Sequence, residues 1–231
     1  MKIKFDKDQR TVAIVILLSA TFFLFAKNAN AQETGFHYGA RFGLGESKLI
    51  SEGIDQSNGK LLLSGGFTST YQLTDFLGIG ADLLVTSKGD KTQGTYTSSG
   101  ITSNSYAYTE NFSMIYTEVP VTGKLSIPIT KNLYLKGFAG PSMNFNLLSS
   151  STRQYDNQNY NEENGYVNKP LNGTEVIEYS IIYGAGFDVI DNNQKMYFLD
   201  LRISKPISAL GEINGESASN KYMNVSAGYM F

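Results

Sequence analysis

From Lys221 to Phe231 the chain alternates: Met223, Val225, Ala227, Tyr229 and Phe231 are apolar, and Tyr222, Asn224, Ser226 and Gly228 between them are mostly small or polar. That is the two-residue period of a strand with unlike faces. The same period predicts seven more strands, at about Gly35 to Gly45, Lys60 to Gln72, Phe76 to Lys88, Phe112 to Leu125, Leu133 to Leu147, Val176 to Val189 and Lys195 to Ser204. Phe36, Tyr38, Ala40, Phe42 and Leu44 share one face of the first, with Arg41 among glycines on the other. Pro120 interrupts the fourth, where it is expected to mark a bulge or an unpaired donor.

The connections alternate in length. Short turns are expected around Thr74-Asp75, Pro128 to Asn132 and Asp191 to Asn193, and long polar loops over Glu46 to Asn58, Gly89 to Asn111, Ser149 to Glu175 and Lys205 to Asn220. An even strand number with turns short at one end and long at the other is the plan of an outer-membrane barrel. The expected fold is all-β: an eight-stranded antiparallel up-and-down transmembrane β-barrel with short periplasmic turns and long extracellular loops. Closure by pairing the last strand with the first leaves no edge in lipid.

Which face points inward follows from charge. The non-apolar face carries ions on seven of the eight strands, too many for the inside of a small soluble carrier, so the apolar face is assigned to lipid and the competing soluble periplasmic ligand-binding barrel is set aside. An eight-stranded barrel is just wide enough for its own side chains. Arg41, Asp82, Glu118, Asp200 and Arg202 are placed near mid-membrane, and Lys124, Lys136 and Asp188 nearer the periplasm, as a structural charge network. A proton or ion path along these groups is the alternative.

Composition narrows the compartment and the partners. The 231 residues hold 19 Lys+Arg against 21 Asp+Glu, and no Cys. Near-neutral balance speaks against nucleic acid, and absent Cys excludes disulfides and thiolate metal sites. Lys2, Lys4, Lys7 and Arg10 precede an apolar run from Thr11 to Ala26, then Ala29-Asn30-Ala31, the form of a secretory signal peptide. The expected organisation is residues 1–31 as signal peptide and 32–231 as the barrel domain.

No catalytic, cofactor or metal residues are assigned. Lipid-modifying barrels need a base beside a hydroxyl, and His37, the single His, is expected at the periplasmic end, away from outer-leaflet lipid. Asp156, Glu162 and Glu163, with Asn157, Asn159 and Asn161, match no calcium-loop spacing. The long loops set Tyr106, Tyr108, Tyr155, Tyr160 and Tyr166 among Ser, Thr, Asn and Gly, a mixture suited to recognition. Expected partners are outer-membrane lipid, the barrel-assembly machinery through the C-terminal strand, and an envelope protein.

Six fragments in order resemble the PorT-type outer-membrane β-barrel family of Gram-negative bacteria: Gly39-Ala40-Arg41-Phe42-Gly43-Leu44-Gly45, Tyr116-Thr117-Glu118-Val119-Pro120-Val121, Gly140-Pro141, Gly184-Ala185-Gly186-Phe187, Leu199-Asp200-Leu201-Arg202 and Gly228-Tyr229-Met230-Phe231. The resemblance implies the barrel fold and, through one branch of the family, an association with secretion of surface proteins; the residues themselves point to a non-enzymatic structural or recognition role in the cell envelope.

Overall fold

The structure is a computed structural model that describes residues 34–51, 57–97, 104–171, 174–191, 193–213 and 216–231. The proposed signal peptide lies outside them. The strands are β1 (Gly35–Ser51), β2 (Lys60–Gln72), β3 (Leu77–Thr97), β4 (Ser105–Pro128), β5 (Leu133–Tyr155), β6 (Tyr166–Pro170), β7 (Ile177–Ile190), β8 (Met196–Pro206), β9 (Gly211–Ile213) and β10 (Glu216–Met230). One short helix, α1 (Gln158–Asn164), follows β5.

Eight strands pair antiparallel in the ring β1-β2-β3-β4-β5-β7-β8-β10, which closes by β1 against β10 from Gly39↔Met230 to Ser51↔Ala218. β6 and β9 are short additions at the upper end, paired with β5 and β10. Backbone hydrogen bonds from Leu73 and Thr74 to Leu77, from Ile129 and Thr130 to Leu133, and from Asp191 to Lys195 make the three tight turns at the lower end.

The alternation resolves as lipid outside and ions inside. Phe42, Leu83, Ile181 and Leu201 are 69%, 51%, 45% and 46% exposed, whereas Asp82 and Arg202 are 9% and 2% exposed. A wall of bare aliphatic and aromatic side chains is stable only against acyl chains, which excludes the soluble carrier. At the lower rim a row of rings crosses the seam. Phe36 stacks on Tyr38, Tyr38 meets Phe231 at 5.7 Å, Phe231 meets Tyr229 at 4.7 Å, and Tyr229 meets Tyr197 at 5.1 Å. Such aromatic girdles sit at the membrane interface.

One expectation needs correction. Much of the supposed loops at Gly89 to Asn111 and Ser149 to Glu175 is sheet: β3 and β4 stay paired up to Thr97↔Ser105, and β4 and β5 up to Tyr108↔Tyr155. Toward the tips, at Gln93 to Thr97 and Ser105 to Thr109, both faces are at least partly open to water, and just below them the inward Asp90, Thr92 and Glu110 are polar, so the apolar-polar period that reveals a strand fades, while Thr and Tyr still favour extended backbone. At Pro120, where a bulge or an unpaired group is expected, the chain shows a broken ladder and no bulge. The register shift lies between Ile115 and Tyr116, where β5 carries Leu147 as an extra residue, while at Pro120 the ladder to β3 is interrupted with no change of register.

Candidate functional site

The inward residues assemble a filled lumen. Seven charges form one alternating chain: Arg202 to Asp82 at 2.8 Å, Asp82 to Arg41 at 3.5 Å, Arg41 to Asp200 at 2.7 Å, Asp200 to Lys136 at 2.7 Å, Lys136 to Asp188 at 2.6 Å, and Asp188 to Lys124 at 2.6 Å. These residues come from β8, β3, β1, β5, β7 and β4, so the chain crosses the barrel from wall to wall. Each ion of this chain touches an opposite charge, which offsets the several kcal/mol that desolvation costs an isolated one.

Neutral groups complete the chain. Thr68 donates to Asp82 at 2.6 Å and Arg41 donates to Ser226 at 2.9 Å. The Phe198 ring lies under Arg41 and Lys136 at 4.3 and 4.5 Å. Between these walls the open volume is about 20 Å³, room for roughly one water.

Glu118 stands apart from the other seven predicted lumen residues. It pairs with Lys88 at 2.5 Å and accepts hydrogen bonds from Thr86 and Tyr222, each at 3.0 Å. The Lys88 ammonium also faces the Tyr116 and Tyr222 rings at 4.5 and 5.0 Å. Glu178, buried nearby, accepts from the Asn220 backbone at 3.4 Å.

The lumen is less polar than its sequence pattern suggests. Leu49, Phe112, Met114, Tyr116, Leu210 and Ala218 form an apolar cluster in its upper part, with Leu171 packed against it. Met196, Phe198 and Met230 form another in the lower part. Leu210 and Leu171 reach the upper cluster from connections that read as polar loops, so local alternation could not reveal them.

Outside the membrane, four of the five predicted recognition tyrosines come together. Tyr106 lies flat on Tyr160 at 3.9 Å, Tyr155 meets Tyr160 edge-on at 4.9 Å, and Tyr108 meets Tyr155 at 5.7 Å. Tyr96, opposite Tyr106 in the ladder, extends the group. Asn157 caps α1 by accepting from the Tyr160 backbone at 3.0 Å, and Asn161 accepts from the Tyr155 backbone at 2.9 Å. These asparagines therefore hold the tyrosines in place. Among the described residues no three His, Asp or Glu side chains converge on a metal position.

Tyr166 belongs to a different cluster. Its hydroxyl donates to Glu110 at 2.5 Å, and Arg153 donates to the same carboxylate at 2.6 and 3.1 Å. Burial first, then the Glu110 hydrogen bond and charge, raise the Tyr166 phenol above its ordinary pKa. For Arg153, burial opposes the charge, but the hydrogen bond and the charge of Glu110 outweigh it and raise the pKa. Regular alternation through Leu147 would turn Arg153 outward; the extra residue of the bulge turns it in. His37 lies near the lower end of β1, opposite Thr70.

Residues 28–212 match the outer membrane protein beta-barrel domain family. The chain belongs to that family. As a member of the outer membrane protein beta-barrel domain family the protein resides in the outer membrane, which agrees with the apolar wall. No curated protein matches its sequence. Among solved structures it is similar to Ail, the attachment invasion locus protein of Yersinia pestis, at 14% identity and TM-score 0.36, covering 85% of this chain and 99% of that one. It is also similar to Neisserial surface protein A, at 12% identity, TM-score 0.44 and coverages of 85% and 96%. A third is OprG from Pseudomonas aeruginosa, at 12% identity, TM-score 0.35 and coverages of 87% and 99%.

Proposed function

We propose that this protein is a non-enzymatic, non-conducting outer-membrane barrel of PorT type from a Gram-negative cell, exported by a signal peptide, that holds a recognition surface outside the cell. The observation that carries the reading is the lumen: a cross-barrel ion chain lies between two apolar clusters, with space for about one water. A charge moving through would have to leave a paired site and enter an apolar one, at a cost of several kcal/mol. His37, the single base of its type, lies at the end remote from outer-leaflet lipid, so acyl transfer there has no supporting geometry.

The extended β3-β4-β5 sheet with its stacked tyrosines is the recognition surface, and an envelope protein, within a secretion assembly, is the proposed partner. The C-terminal strand is the proposed contact with the barrel-assembly machinery. Purified protein in planar bilayers is expected to give no steady single-channel conductance; an open-channel record sinks the plug. Affinity purification in mild detergent is expected to recover an envelope protein, and to lose it when Tyr106, Tyr155 and Tyr160 are replaced by Ser.

A further inference from the structure

On the outer wall the apolar run gives way to charge on three neighbouring strands: above Leu44 on β1, above Met223 on β10 and above Ile203 on β8, with Met223 opposite both Glu46 and Ile203 and Leu44 opposite Val225. The next outward residues include three lysines. Lys48 is directly opposite Lys221 in the β1–β10 ladder, and one step past the Ser204↔Tyr222 pair the register sets Lys205 opposite Lys221. All three line a single hollow of about 490 Å³, floored by Met223, Ile203 and Tyr183. Its one carboxylate, Glu46, pairs with Lys48 at 3.0 Å.

Like charges directly across a ladder are destabilising, and one Glu among three Lys leaves two positive charges at the outer edge of the hydrocarbon region. A juxtamembrane cationic patch attracts anionic headgroups, and the apolar floor continues toward the membrane centre, where acyl chains lie. We propose that this hollow binds a phosphorylated lipid of the outer leaflet, with its phosphate on Lys48, Lys205 and Lys221 and its acyl chains along Met223, Ile203 and Tyr183.

The test is native mass spectrometry of the detergent-solubilised full barrel with bisphosphorylated lipid A, its dephosphorylated form and phosphatidylethanolamine as probes. The expected result is retention of one lipid A in preference to the other two, with affinity reduced about tenfold or more by combined Lys48→Gln, Lys205→Gln and Lys221→Gln and kept by Lys→Arg at the same positions. Lys131→Gln, at a lower turn, is expected to change nothing. Reductive methylation of the unaltered protein supplies a readout that needs no variant: lipid A is expected to protect the three lysines and leave Lys131 reactive. Equal retention of the dephosphorylated lipid, unchanged binding by the Gln variant, or absence of protection overturns the proposal. Competition by millimolar inorganic phosphate alone also overturns it, since that would mark a site for a soluble anion.

Discussion

At the residue scale, Asp188 is the member of the lumen chain with most depending on it. It is fully buried and is shared by Lys124 and Lys136 at 2.6 Å each. Lys136 has a second partner in Asp200, but Lys124 has Asp188 as its ion-pair partner. Asp188→Asn is therefore expected to destabilise the barrel by about 3–5 kcal/mol, the range for stranding a buried charge. The measurement is the urea midpoint of the heat-modifiable folded band. Adding Lys124→Met to Asp188→Asn should recover part of the loss, because it removes the stranded cation.

Tyr166 gives the matching prediction above the membrane. Its folded pKa is raised, chiefly by burial and then by Glu110, so the neutral phenol is favoured by folding. That contribution is present below the unfolded tyrosine value of about 10 and fades as pH climbs through the higher folded one. Difference absorbance of phenolate against pH, comparing unaltered protein with Tyr166→Phe, should assign to Tyr166 a tyrosine that ionises above the ordinary range. Ionisation at or below pH 10 contradicts it.

At the element scale, the β1–β10 seam depends on backbone proximity that a side chain would prevent. A Cβ on Gly39 would lie 1.8 Å from the Tyr229 carbonyl oxygen, and one on Gly228 would lie 2.3 Å from the Ala40 carbonyl oxygen. Neither carbonyl can move without parting the closing strands. Gly39→Ala is expected to lower the fraction of protein that assembles as a heat-modifiable barrel, whereas Gly123→Ala, where the nearest atom is 3.9 Å away, should assemble normally.

The β4–β5 bulge makes a different prediction. Leu147 is the residue skipped between the Tyr116↔Asn146 and Ile115↔Leu148 pairs. Deleting it should leave a regular strand with Asn146 and Arg153 facing as before. Assembly and the raised Tyr166 titration should survive that deletion, and loss of either would show that the bulge does more than adjust the register.

At the scale of the whole molecule, the barrel is graded from membrane to tip. Within the bilayer every strand has a partner on both sides, with the β4 ladders interrupted around Pro120, whereas the upper ends of β3, β4 and β5 rise past their neighbours into water. Local opening is expected to be cheapest where buried contacts are fewest. Amide exchange in detergent should be slow from Leu199 to Ile203, which is paired without interruption on both sides, and faster from Tyr106 to Glu110. Tyr160→Ala, which removes the ring stacked on Tyr106 at 3.9 Å, should speed exchange in the second segment and leave the first unchanged.

Much of this molecule was legible in the chain because lipid and lumen impose opposite demands on alternate residues. That demand writes itself as a period of two, from which strand number, topology and the inward placement of Arg41, Asp82, Asp188, Asp200 and Arg202 could be read. The reading stopped where the environment ceased to be two-sided. Strand continued to Thr97 and Tyr155 without a periodic signature, Leu210 and Leu171 entered the lumen from connections, and one extra residue at Leu147 reversed the facing of Arg153. Sequence determined which side each membrane residue takes, since burial chemistry is local. Only the closed ring decided which ions meet, because partners up to 159 positions apart, as Arg41 and Asp200 are, are brought together by strand order and register.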